Sequence, residues 1–327
     1  MPQLQPVDQL VVDVAIDNVT DSYSSKPAHV SPEFNNVIEA GAKELSGATL
    51  CCAQLGLALV LTAGVGEQRY KLLFDAGPEG ALFLRNCQNL GVGLGDVGAI
   101  AVSHGHWDHM GALLDALDHI TRHNTGREVP CHVNPGMFLE RGAQLSNGQI
   151  APFEPVPTPE ALVRHGAQVI NREEGRFLLE DCFYLSGEIP RQSSFEKGRP
   201  DHLCRQSAEH PWAPDPLIMD ERYVAVHVRH KGLIVFSSCS HAGIVNVLLD
   251  AREVFADVPL YGVLGGLHLS GLAMERLIPD TMTHLQQFEL QQIMPAHCTG
   301  WRAVYALLTT FGESVVTPSA VGSRFTF

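Results

Sequence analysis

The stretch Ala101–Leu113, "AVSHGHWDHMGAL", decides how the rest of the chain is read. It places His104, His106, Asp108 and His109 within six residues. Imidazole nitrogens and a carboxylate suit zinc, and also manganese or iron. Before it, "VGAIAVSH" (97–104) is a short continuous apolar run, the pattern of a buried strand. After it, "MGALLDALDHI" (110–120) has apolar residues at helical spacing. A tight turn between strand and helix lets His104 and His106 point to one centre, and Asp108 and His109 to another. The motif then supplies only two ligands per metal, so the remainder must come from distant sequence.

Three later places offer such ligands, each just after a predicted strand and beside small residues. "VFSSCSHAG" carries Cys239 and His241, "VLGGLHLSG" carries His268, and "IMPAHCTG" carries His297 and Cys298. His119, His123, His165, His202, His210 and His284 read as surface or helix-face residues. His227 and His230 lie on a strand and need no function.

Working outward, the first half is rich in strand signals. "QLVVDVAID" (9–17) alternates, and "GLALVLTAG" (56–64) with "YKLLFDAG" (70–77) reads as a hairpin around a Gly-containing turn. "EGALFLRNCQNLG" (79–91) has helical spacing and stops at Gly91. The second half alternates strand and helix: two strands about a turn over 222–243, helices over 244–255, 274–288 and 301–312, a strand over 260–269, and a strand and loop over 290–300. This mixture predicts two sheets packed together with helices outside. Between the halves, about 141–220 is rich in proline, polar and charged residues, with strand-like pieces at "AQVINR" and "FLLEDCFYLSG". It reads as a loop-rich insertion or lid within one domain spanning 1–327.

The residues now carry a resemblance. "SHGHWDH" matches the HxHxDH signature and resembles the metallo-β-lactamase superfamily. "LLFDAG" (72–77) looks like the strand and Asp-x-Gly turn that precedes that signature, and "PAHCTG" like its C-terminal histidine motif. The resemblance implies an α/β fold, a four-layer αββα sandwich of two mixed β-sheets flanked by helices, with the metals at one edge. It implies metal ligation by His104, His106, Asp108, His109, His241 and His297. "CSHAGIVN", "GGLHL" and "AHCTGWRA" are similar to a branch whose named members are 7,8-dihydropterin-6-methyl-4-(β-D-ribofuranosyl)aminobenzene-5′-phosphate synthases. One departure stands out. Most dinuclear members place a metal-bridging aspartate where Cys239 ends "GLIVFSSC", and a further histidine before that strand, where "DPLIMDE" (215–221) has none. His241 would replace the missing histidine. Cys239 is either a thiolate ligand or a residue lining the site, and the same choice is open for His268.

The expected cofactor is Zn2+, as one or two ions, with Mn2+ or Fe2+ as alternatives. The resemblance implies a metal-activated hydroxide attacking a small substrate, anionic or pterin-like, with Asp108 as catalytic residue. A synthase or transferase, or an iron-dependent oxidoreductase on the same fold, are the alternatives. Arg191, Lys197 and Arg199 of "GEIPRQSSFEKGR" are candidates for a substrate phosphate or carboxylate. The net charge of −14 leaves no electrostatic footprint for nucleic acid, so none is expected as a partner. The longest apolar run, 55–65, is short of the ~20 residues that span a bilayer. The start has neither a basic n-region nor a long apolar h-region, so a cytoplasmic location is expected. The eight cysteines form no CxxC pair and do not read as a disulfide framework.

Overall fold

A computed structural model describes residues 3–327. Its first sheet has the order β2-β18-β1-β3-β4-β5-β6-β9. The strands are β1 (Gln9–Ile16), β2 (Val30–Ser31), β3 (Ala58–Val65), β4 (Gln68–Phe74), β5 (Val97–Ala101), β6 (Val129–Val133), β9 (Ala167–Asn171) and β18 (Arg324–Thr326). The second sheet has the order β10-β11-β14-β15-β16-β17. It contains β10 (Arg176–Leu178), β11 (Phe183–Leu185), β14 (Val224–Val228), β15 (Gly232–Ser237), β16 (Leu260–Gly266) and β17 (Gln292–Ala296). Both are mixed: β4, β5, β6 and β9 run parallel, as do β15, β16 and β17, and the other pairs in these two sheets are antiparallel.

Alternation along the strands builds the layers. On β3, Leu59 and Leu61 face the second sheet, where they meet residues such as Val226, Ile234 and Phe236. Ala58 and Val60 face the other way, onto the helices α2 (Gly80–Asn89) and α4 (Leu113–His123) through Phe83, Leu113 and Leu117. On β15 the roles repeat. Ile234 and Phe236 point between the sheets, while Leu233 and Val235 pack under α6 (Ile244–Val254), α8 (Ile278–Leu285) and α9 (Trp301–Phe311). Each such buried side chain contributes about 1.5–3 kcal/mol relative to exposure. The result is the predicted αββα sandwich. The remaining helices are α1 (Glu33–Glu39), α3 (Trp107–Met110), α5 (Pro159–Arg164) and α7 (Leu272–Glu275). The helix expected over 274–288 is divided at Arg276 and Leu277, and Pro279 stands in the first turn of α8, where its missing N–H costs nothing.

The stretch 141–220 divides between three layers. Helix α5 and strand β9 join the first sheet's side, and β10 and β11 join the second sheet. The rest forms a small antiparallel sheet, order β13-β12-β7-β8, from β7 (Glu140–Gln144), β8 (Ile150–Pro152), β12 (His202–Arg205) and β13 (Ala213–Pro214). At the opposite edge β18 pairs with β1, with Val12 opposite Phe325 and an Asp13–Arg324 ion pair of 2.7 Å.

Candidate metal centre

The centre lies where the C-terminal ends of β5 and of β15, β16 and β17 converge. Strand β5 leads into the signature turn. Gly105 is the only residue type that fits there: a Cβ would stand 2.1 Å from the Met137 carbonyl oxygen and 2.6 Å from Arg141. Arg141, reaching in from β7, donates to the Gly105 carbonyl at 3.0 Å and to Asp220, and Asp220 accepts the Gly105 N–H at 2.9 Å. The third sheet therefore clamps the signature loop.

The three parallel strands of the second sheet deliver their residues through a repeated distortion. Ser240 (φ 57°), His268 (φ 48°) and His297 (φ 46°) are all in the left-handed region just beyond β15, β16 and β17. Such residues cost on the order of 1–3 kcal/mol each and cluster at functional sites. His241 and Ala242 donate their backbone N–H groups to the buried Glu221 carboxylate, at 2.8 and 2.6 Å. His297 donates its N–H to Asp17 at 2.9 Å, and its Nδ1 lies 3.0 Å from Asn18 Oδ1.

Two donor groups result. One donor atom from each of His104, His106 and His241 falls within a 4.8 Å cluster, and so do those from Asp108, His109 and His297. The Cys239 sulfur belongs to further clusters with His104 and His109, with His241 and His268, and with His297 and Cys298. It therefore sits between the two groups. Asp108 Oδ2 is 3.5 Å from His297 Nε2 and 3.8 Å from His109 Nε2.

The electrostatics suit a cation. Burial pushes His104, His106, His241 and His297 well below the usual imidazole range, which leaves them neutral with a free lone pair. For His109 burial acts downward too, but the carboxylates of Asp108 and Asp75 outweigh it and hold its pKa up. Asp75 accepts from Ser103 N at 2.7 Å, from the Ser103 and Ser238 hydroxyls, and from His109 Nδ1 at 2.8 Å. That contact assigns the His109 proton to Nδ1 and turns Nε2 inward as a ligand atom. His104 Nε2 lies 2.9 Å from His106 Nδ1 and 3.2 Å from His241 Nε2, and His109 Nε2 is buried without a partner. Ring nitrogens that converge with no other group between them fit a divalent cation.

A cavity of about 500 Å³ opens above the groups, with Asp108, His241, His268, His297 and Cys298 in its lining. The sequence-predicted residues meet different fates. All six expected ligands come together, with Cys239 and His268 beside them. Arg199 lines the cavity, paired with Asp201 at 2.8 Å and 3.5 Å from His268 Nε2. Arg191 instead donates to the Leu217 carbonyl at 2.7 Å, and Lys197 to the Ser193 carbonyl at 3.0 Å, outside the cavity lining. His202 is the correction in the other direction. Far from being a surface residue, it is buried on β12, with its ring 5.4 Å from His106 and 5.3 Å from His241. Burial, with Arg199 adding to it, lowers its pKa to about 4. Trp107 and Phe153 complete that wall. Asp17, Asn18, Asp220 and Glu221 also serve the centre, from segments that carry no ligand pattern. They stand in "DNVTD" just after β1 and "MDE" before β14.

Residues 62–181 match the family model of the metallo-beta-lactamase superfamily. That match takes in the signature turn and the elements on either side of it. It is similar to the 7,8-dihydropterin-6-methyl-4-(beta-D-ribofuranosyl)-aminobenzene-5′-phosphate synthase of Methanocaldococcus jannaschii, 26% identical across 80% of this chain and 86% of that protein. An uncharacterized protein of the same organism is 27% identical across 72% of this chain and 82% of its own length. The solved structure of a metal-dependent hydrolase of the beta-lactamase superfamily superposes with a TM-score of 0.68 at 20% identity, covering 97% of this chain and 98% of that one. The metallo-β-lactamase fold implies a divalent metal, and the His/Asp/Cys clusters above are able to hold one.

Proposed function

We propose that the protein is a metal-dependent hydrolase acting on a small anionic substrate. The observation that carries this reading is the pair of donor groups, His104/His106/His241 and Asp108/His109/His297, joined by Cys239 at the floor of one cavity. His104, His106 and His241 would hold one cation, and Asp108, His109 and His297 a second. A bound zinc there lowers the pKa of its water from ~15.7 to about 7 and polarises a carbonyl or phosphoryl oxygen; manganese and iron are the alternative occupants.

The chain's own residues supply the rest. Asp75 holds the His109 proton on Nδ1. Asp108 orients the nucleophile and accepts its proton on the carboxylate oxygen turned away from His297. Arg199 offers a guanidinium to a phosphate or carboxylate. His202, Phe153 and Trp107 form an uncharged wall against which a planar group stacks. The third sheet, which contributes His202 and Ala143 to the lining, acts as the lid that selects the substrate. A synthase is the second reading, favoured by the name of the relative that matches 80% of the chain. It uses the same cation sites and the same anion contact.

Metal analysis of protein purified without added metal, beside His106→Ala, tests the centre. Wild-type protein should carry metal that the variant lacks, and equal metal in both sinks the reading. A screen of phosphoesters, lactones and thioesters should then give metal-dependent turnover, weakened on anionic substrates in Arg199→Ala through a raised KM. Turnover only in a condensation assay moves the assignment to the synthase.

A further inference from the structure

We infer that Cys239 and Cys298 close a reversible disulfide at the floor of the cavity, an oxidative modification that withdraws the sulfur lying between the two donor groups. Their sulfurs stand 3.1 Å apart, and the Cys298 thiol also lies 3.3 Å from the Cys239 carbonyl oxygen. This proximity is built rather than incidental. The two cysteines follow β15 and β17, which are separated by β16. Neighbouring strands are ~4.8 Å apart, so residues two strands away start near 9–10 Å, beyond the ~4.4–6.8 Å Cα spacing that a disulfide spans.

Two features close that gap. Strand β16 ends in Gly265–Gly266, and a Cβ on Gly266 would stand 2.6 Å from the Cys298 sulfur and 2.6 Å from the Ser238 carbonyl oxygen. After β17 the chain turns over this cleared ground in a short 3₁₀ turn, His297–Thr299. The Thr299 hydroxyl pins the turn by accepting the Leu267 N–H at 3.1 Å. Access is graded as well: Cys298 is half-buried and lines the cavity beside buried Cys239.

With a peroxide as oxidant the steps balance. The Cys298 thiol gives up its proton, its sulfur attacks one peroxide oxygen to form a sulfenic acid, the O–O bond breaks, and the departing hydroxide takes up that proton as water. The Cys239 thiol then passes its proton to the sulfenic oxygen as its sulfur attacks the Cys298 sulfur, so the S–S bond forms, the S–O bond breaks and the oxygen leaves as a second water. Two thiols are oxidised by two electrons and the peroxide is reduced. The consequence for the centre rests on the proposed metal reading: Cys239, His297 and Cys298 share one donor cluster, so the same sulfurs cannot hold a cation and each other.

The test is purified protein treated with hydrogen peroxide, alkylated, digested and mapped by mass spectrometry, with released metal measured in the same sample. The expected result is a linked pair joining the segments of Cys239 and Cys298, loss of two hydrogens in the intact mass, reversal by dithiothreitol, and metal released in proportion to the linked fraction. Cys298→Ser should give no link, and Cys298→Ala, checked by circular dichroism, repeats the control if the serine misfolds. Both cysteines remaining alkylatable, or Cys298 passing to sulfinic acid unlinked, overturns the proposal. A link formed in protein that never carried metal sinks the metal reading and leaves the disulfide standing. Metal present with no link does the reverse.

Discussion

A single buried carboxylate, Asp75, does more for the candidate centre than its place outside the signature suggests. It stands in the left-handed region at φ 57°, one residue beyond β4. From there it joins His109 to Ser103 and Ser238, so one side chain ties together both sheets and the signature turn. Asp75→Asn keeps the shape but presents an amide that can no longer compel His109 to carry its proton on Nδ1. Metal affinity should fall by about 10–100-fold, read by competition with a chromophoric chelator, while the far-ultraviolet circular dichroism stays unchanged. An unaltered affinity would mean that the Ser238 hydroxyl, 3.0 Å from His109 Nδ1, orients the ring by itself. At this scale the sequence showed the ligands well, because four of them sit in six residues. It hid Asp17, Asn18, Glu221 and His202, because each acts through a partner tens to hundreds of residues away. His202 meets His106 across 96 residues, and no local pattern encodes that meeting.

The N-terminus of α6 shows what burial does to an element's end. Glu196 accepts the N–H groups of Val245 and Asn246, both at 2.9 Å, the usual service of an acidic group at a helix start. Burial nevertheless raises its pKa from 4.5 to about 7, outweighing those two hydrogen bonds. The sign follows from linkage. Between about 4.5 and 7 the folded protein keeps a proton that the unfolded chain has released, so stability falls as pH rises through that window. The loss is complete above it and is of the order of 3 kcal/mol at most. Urea unfolding of metal-free protein at pH 5 and pH 8 should show a larger drop for wild type than for Glu196→Gln; equal drops would remove Glu196 as the cause. Hairpins and amphipathic helices were legible because their signals are local. The strands of the third sheet were not: β7 and β12 are short, lie about 60 residues apart and pair His202 with Ala143, leaving only a proline-rich run to be seen.

For the whole molecule, the donor atoms come from both sheets, so cation binding and the docking of the sheets are one equilibrium. A ligand that binds only the folded state stabilises it by about 2.7 kcal/mol at a concentration 100 times its Kd. Removing metal with a chelator should therefore lower the thermal midpoint, adding it back should restore the midpoint in a concentration-dependent way, and His106→Ala should show neither change. A chelator-insensitive midpoint in metal-loaded wild type would mean that the sheets dock without help. The four-layer plan itself was readable from alternation and helical period. What joins its layers at the centre was not, since that depends on where strands end rather than on what they contain.

The insertion of β18 between β1 and β2 imposes a timetable on synthesis. Val12 leaves the ribosome more than 300 residues before its partner Phe325 exists. At about 5–20 residues per second that interval is roughly 15 to 60 seconds. For that time β1, paired on one side with β3, offers its other edge and the apolar side chains Leu10, Val12 and Val14 to whatever strand arrives first. The nascent protein thus has to keep open, for as long as it takes to make those 300 residues, a slot that Arg324–Thr326 fill.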